Sequence, residues 1–223
     1  ADSAAAIGGD KTETQSLYFD VHMELGNYDV AESYLDSLKN MSDFGYMIRV
    51  AKWNDYKGDL DTTINFMEKA RTKAELSKNN DLMLWSYTNL GDYYGHAGRI
   101  EDSYNHYLKA LEIDNNNAYA KKGIAWIVFS NDKNSKEAIR ILDSVTKTYD
   151  APDYFLLKAE IADYSGDDLI RTKNLDEYFT RVKDKAYGDM YNAYNLGLYI
   201  GETKQYDSAL ILAQREVDNR PTP

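Results

Sequence analysis

A small residue recurs in one helical context along this chain. Ala51, Gly91, Ala125, Ala159 and Gly197 each follow a mostly apolar helical stretch, at intervals of 40, 34, 34 and 38 residues. A second series runs beside it. Gly26, Gly58, Gly98 and Gly166 each end a turn, as in Leu25-Gly26-Asn27-Tyr28 and Lys57-Gly58-Asp59-Leu60. A period near 34 with this punctuation predicts stacked helical hairpins, because each unit can bury its apolar face only against its neighbours. Such an architecture suits a binding scaffold better than a catalyst, and it leaves the partner open.

Residues 84–117 show the unit most clearly. They run Tyr87-x-x-Leu90-Gly91-x-x-Tyr94, then Gly98, then Ser103-x-x-x-Tyr107, Ala110-Leu111 and Ile113-Asp114-Asn115. Positions 87, 90, 94 and 97 are spaced for one helical stripe. Gly91, like Gly197, should lie where helices cross closely, and Gly98 suits the left-handed cap that ends a helix. Glu101 and Asp102 then fall near a new helix start, where the dipole favours acids. Positions 104, 107, 108 and 111 form the second stripe.

This unit resembles the tetratricopeptide repeat (TPR), whose pattern is W-x-x-L-G-x-x-Y, then A-x-x-x-F, then P. Tyr stands for Trp, Ser for Ala, Tyr for Phe and Asn for Pro. The resemblance continues through Ile124-Ala125-x-x-Val128 and Ala138-x-x-x-Leu142, and through Leu196-Gly197-x-x-Ile200, Tyr206, Ala209 and Pro221. Units at 44–83 and 152–189 keep Ala51 with Gly58, and Ala159 with Gly166. The latter puts Lys158 and Arg171 where Leu and Ala are expected. In 12–43, Phe19 replaces the small residue. The resemblance implies an all-α, right-handed solenoid of about six hairpins, with units at 12–43, 44–83, 84–117, 118–151, 152–189 and 190–223, read as one domain after a flexible leader at 1–11. The stretch 68–78 predicts a second helix lengthened by more than a turn, and 183–188 a longer loop.

The formal net charge is −11 and the basic residues are scattered, which argues against nucleic acid as a partner. No apolar run approaches the ~20 residues of a membrane span. The absence of cysteine excludes disulfides, thiolate metal sites and cysteine nucleophiles. The start Ala-Asp-Ser-Ala-Ala-Ala-Ile-Gly-Gly-Asp fits a mature terminus after signal removal, a tag scar or a fragment edge; the preferred localisation is exported and bacterial (periplasmic), with the cytoplasm as alternative. Pro221 falls at the closing proline of the pattern, and the stripe Leu210, Ala213, Val217 would lack a following unit. We therefore expect the natural chain to continue beyond Pro223, or the last hairpin to self-associate weakly.

No catalytic, cofactor or metal site is expected. His22, His96 and His106 occupy different positions of different helices, and no H-E-x-x-H pattern occurs. The pairs Asp59/Asp61, Glu101/Asp102 and Asp167/Asp168 sit at starts of second helices, where capping explains them. Neither a glycine-rich phosphate loop nor a G-x-S-x-G is present.

In TPR proteins the first helix of each hairpin lines the concave groove. Carried over by position, this implies that Lys52, Tyr56, Trp85, Asp92, His96, Tyr119, Lys122, Trp126, Glu160, Tyr164, Tyr191, Tyr194 and Leu198 lie on or beside it. Aromatic residues with few charges are typical of binding hot spots. The TPR clamp for acidic tails needs Asn at positions that here hold Lys52, Asp92, Trp126, Glu160 and Leu198, so an acidic tail is not the expected ligand. The expected function is a non-catalytic scaffold binding a peptide or partner protein. The alternative is a glycan-binding module of a bacterial uptake system.

Overall fold

The computed structural model describes residues 11–219. The predicted leader lies outside the described residues except for Lys11, which opens the first helix, and Pro221 lies outside them as well. The described chain forms twelve α-helices, one 3-10 turn and no strand. The helices are α1 (Lys11–Glu24), α2 (Tyr28–Ser37), α3 (Phe44–Tyr56), α4 (Leu60–Ser77), α5 (Asn80–His96), α6 (Ile100–Ile113), α7 (Ala118–Ser130), α8 (Ser135–Val145), α9 (Pro152–Tyr164), α10 (Asp168–Arg181), α11 (Asn192–Gly201) and α12 (Tyr206–Asn219). They pair into successive hairpins, the all-α repeat architecture that the period predicts. Two compact units result. One takes its described residues from 11–49 and 184–219, and the other is the continuous stretch Val50–Lys183.

In the continuous unit the turns repeat almost atom for atom. Gly98 has φ 72°, its N–H donates to the Gly95 carbonyl at 3.0 Å, and the Arg99 N–H reaches back to the Tyr94 carbonyl at 2.8 Å. This double bond to the last helical turn needs a left-handed residue, which glycine adopts without steric penalty. Gly58 and Gly166 repeat it, with Asp59 and Asp167 donating back to Asn54 and Ala162, each at 2.9 Å. Between α7 and α8 the turn has no glycine, and Lys133 takes the positive φ of 56° instead. The acids that follow the glycines then cap: the Asp59 and Asp167 carboxylates accept from the backbone N–H of Thr62 and Ile170 at 3.0 Å. Glu101 and Asp102 lie in the first turn of α6 without capping it, and Asp102 pairs with Arg99 at 2.8 Å. The lengthened helix is α4, of 18 residues.

Packing inside the second, third and fourth hairpins follows one pattern. The residue that opens the second-helix pattern lies against the small residue of the first, and a larger buried side chain stands four positions later. The Ser103 hydroxyl donates to the Gly91 carbonyl at 2.6 Å, and the Thr63 hydroxyl to the Ala51 carbonyl at 3.2 Å. Four residues on stand Tyr107 and Met67, both buried. In the next hairpin Ala125, Ala138 and Leu142 share one core cluster. The largest knob meets the smallest holes: a Cβ built on Gly91 would lie 2.5 Å from the Tyr107 ring, and one on Gly123 of α7 would lie 2.3 Å from it. One tyrosine thus sits between glycines of two successive first helices. In the fifth hairpin Arg171 stands at the small position and pairs with Asp163 at 3.0 Å.

In the other unit, α1 and α2 depart from the pattern on one side only. Phe19 is fully buried where a small residue is expected, while Ala31 and Leu35 of α2 keep the opening and larger positions, both buried. Gly26 makes the same turn, with φ 71°. The surplus before the last hairpin contains the 3-10 turn Lys185–Tyr187. Asn192 donates to Glu216 at 2.7 Å and Arg215 pairs with Asp189 at 2.8 Å. The glycine of this hairpin departs from expectation: a Cβ on Gly197 meets nothing within 4 Å. Ala209 is the buried residue of α12, while Leu210, Ile211 and Val217 are exposed.

Candidate functional site

The first helices α5, α7 and α9 of the continuous unit share a face, tied together by side chains. At its centre Asp92 of α5 accepts two short hydrogen bonds, from the Tyr107 hydroxyl at 2.5 Å and the Tyr119 hydroxyl at 2.6 Å. Burial and the Asp92 carboxylate push both phenols up from their ordinary value. Burial, with Asp55 and Asp92 nearby, raises Tyr93 to about 12. Lys122 of α7 donates to Asp153 of α9 at 2.5 Å and lies 5.3 Å from the Tyr154 ring. Burial raises the Glu160 carboxyl, and Lys122 opposes that rise.

Aromatic surface surrounds these charges. Trp126 is 51% exposed and packs edge-on against Phe129 at 5.7 Å, which in turn meets Tyr164 of α9 at 5.2 Å. Trp85 is 40% exposed and Tyr119 50%. Large aromatic rings held half in water are characteristic of recognition surfaces. A cavity of about 140 Å³ opens among Asp92, His96, Tyr107, Gly123, Trp126 and Ile127. Both glycines that admit Tyr107 border it, so the sequence feature that packs the hairpins also hollows the face.

The predicted residues divide as follows. Trp85, Asp92, His96, Tyr119, Lys122, Trp126, Glu160 and Tyr164 fall on α5, α7 and α9. Lys52 is half-buried on α3, and Tyr56 is exposed there, 5.6 Å from the buried Trp53 ring. Tyr191 and Tyr194 belong to the other unit. Tyr191 is buried, 5.2 Å from the Tyr187 ring, and precedes α11, while Tyr194 is exposed. Sequence reasoning missed Asp153, Phe129 and Gly123. Phe129 stands one helical turn after Trp126 and was legible by spacing. Asp153 lies in the first turn of α9, where an acid is explained by the helix dipole and draws no further notice.

Two of the three histidines pack against neighbours, while His96 is exposed at the candidate face. His22 stacks on Tyr34 at 5.8 Å. His106 is buried, with Nδ1 2.8 Å from the Asp102 carbonyl and Nε2 3.4 Å from Glu68. Glu68 also accepts from the Tyr94 hydroxyl at 2.7 Å and from Arg71 at 2.8 Å. These donors, His106 foremost, hold its carboxyl down at about 2 against the cost of burial. Among the described residues no group of three or more His, Cys, Asp or Glu is placed to hold a metal ion, and no helix is long and apolar enough to cross a membrane.

No protein-family model matches the sequence, and no curated protein sequence matches it. Solved structures do match the fold. The TPR-like repeats of a kinesin light chain-like protein from Podosopora anserina superpose with a TM-score of 0.61 at 11% identity, over 78% of this chain and 97% of that one. BtubC from P. vanneervenii gives 0.62 at 17% identity, over 79% and 81%. MamA from Desulfovibrio magneticus RS-1 gives 0.57 at 12% identity, over 79% and 98%. The fold is therefore that of the tetratricopeptide-repeat solenoids.

Proposed function

We propose that this protein is a non-catalytic scaffold that binds an extended peptide segment of a partner protein on the face of α5, α7 and α9. The observation that carries the reading is the half-exposed Trp126, set at the mouth of a side-chain-sized cavity beside Asp92. The charge of the face selects among peptides. Lys122 is neutralised by Asp153, which leaves Asp92 and Glu160 to set the sign around the aromatic surface. Apolar side chains suit the rings and cavity, and Lys or Arg suits the carboxylates.

Pull-down of partners with Trp126→Ala and Lys122→Glu tests this. Loss of partners by folded Trp126→Ala supports it. If both folded variants retain every partner of the wild type, this face is not the binding site. Retention of a neutral oligosaccharide, with no peptide bound, would replace the reading by the glycan one. We also propose weak self-association through α12, whose Leu210 is 72% exposed. Sedimentation should show concentration-dependent mass that Leu210→Lys abolishes; strict monomers at high concentration would contradict it.

A further inference from the structure

The side of α9 turned away from the proposed peptide face carries a second feature. On a 3.6-residue period, Asp153, Glu160 and Tyr164 share one side of α9, while Phe155 and Lys158 share the other. Over that other side, between α8 and α10, lies a cavity of about 710 Å³. Its apolar surface comes from Phe155, Ile139 and Ile170. Its cations outnumber its acids, in a chain whose net charge is −11.

The ion pairs show which charges remain. Lys158 stands where the repeat expects an apolar residue, and its side chain is 7% exposed. It is held by Asp143 at 3.0 Å and by the Thr146 hydroxyl at 3.1 Å. Glu177 is taken by Arg181, and Arg140 is held by Glu137 through two bonds of 2.5 and 2.7 Å. The two remaining lining cations, Lys147 and Lys173, form no ion pair among the described residues. Two cations also converge on the Phe155 ring, Lys158 at 4.6 Å and Arg181 at 4.0 Å from its centroid. The Arg181 Nε makes no hydrogen bond among the described residues and lies 3.9 Å from the Asp150 carboxylate, outside the cavity lining.

We propose that this cavity binds a phosphomonoester with an apolar or aromatic body. A dianion matches the two lysines left without partners, and lysine serves phosphate as a point charge. The apolar body matches the surface of Phe155, Ile139 and Ile170. The volume lies within the range of roughly 300–1,000 Å³ usual for small-molecule sites.

The test is titration of the full isotope-labelled chain with phenyl phosphate, followed by amide and lysine NMR. Saturable shifts centred on Lys147, Lys158 and Lys173 are expected, with phenol and inorganic phosphate each at least about tenfold weaker. Lys147 and Lys173 are exposed, so the double charge reversal Lys147→Glu/Lys173→Glu should fold and weaken phenyl phosphate about tenfold or more at low salt. Lys158→Met keeps the bulk and should also weaken it. A short phosphotyrosine peptide separates two sources of the same chemistry. Tighter binding than phenyl phosphate assigns a partner protein, and equal binding a free metabolite. Absence of saturable shifts, or an affinity unmoved by the double reversal, overturns the proposal. Equal binding of inorganic phosphate overturns the part assigned to the apolar body.

Discussion

The third hairpin and the last carry nearly the same motif and pack in opposite ways. Both place Leu-Gly on the first helix, Leu90-Gly91 in one and Leu196-Gly197 in the other. Gly91 is buried under the ring of Tyr107, whereas a Cβ on Gly197 would meet open space. The difference lies in the partner helix. Four residues after Ser103 stands Tyr107; four residues after Ala209 stands Ala213. A methyl group cannot fill the hole that a phenol fills. A glycine in the repeat is therefore required only as far as the opposing side chain requires it. The same complementarity explains Ala125 with Leu142 in one core cluster, where a smaller knob permits a methyl in the hole.

Gly91→Leu probes the packed end of the contrast. It should destabilise the protein by about 1–3 kcal/mol through overpacking, outweighing the roughly 0.5–1 kcal/mol that a better helix former contributes. An unchanged melting temperature would show that Tyr107 does not sit where the fold places it.

The carboxylate that ties α4 to α5 and α6 gives the next effect. Glu68 has an ordinary value of 4.5 and a folded value of about 2. A depressed carboxylate contributes stability above its unfolded value and loses it as pH falls through the folded one. The loss should therefore run from about pH 5 to about pH 2, on the order of 2 kcal/mol once screening at a side chain 29% exposed is allowed for. Denaturant midpoints of wild type and Glu68→Gln should differ at pH 7 and converge at the acid end; a constant gap would refute the assignment.

Tyr107→Phe keeps the knob and removes its bond to Asp92. A loss of about 1 kcal/mol is expected. A loss as large as that of Gly91→Leu would mean that the hydroxyl, and not the ring, holds the hairpin. The smallest effect belongs to the other end of the contrast. Gly197→Leu should change stability by no more than about 0.5 kcal/mol, or raise it through helix propensity. A penalty like that of Gly91→Leu would break the comparison.

These contrasts mark how far the sequence could be read. Hairpin period, turn glycines and the caps at Asp59 and Asp167 are local, since each is set by residues within one or two turns, and these are legible; Glu101 and Asp102 read as caps but do not cap. The long α4 is legible for the same reason. Gly197 misleads because the motif names the hole and not the knob. The sign of the candidate face is harder still. Lys122 reads as a positive groove charge until Asp153, 31 residues away on the next first helix, neutralises it. Tyr119 reads as a free ring until its hydroxyl meets Asp92. Pairings between hairpins leave no spacing signature, because they depend on which faces the stack brings together.

The central claim is that the face of α5, α7 and α9 holds a peptide of apolar and basic side chains. Selection from a random peptide library on the immobilised full chain, followed by amide-shift mapping of the best binder, tests it directly. The account predicts selected peptides enriched in Lys or Arg beside bulky apolar residues, with shifts centred on Trp85, Asp92, Tyr119 and Trp126. Enrichment of acidic peptides, or shifts confined to α6, α8 and α10, would contradict it.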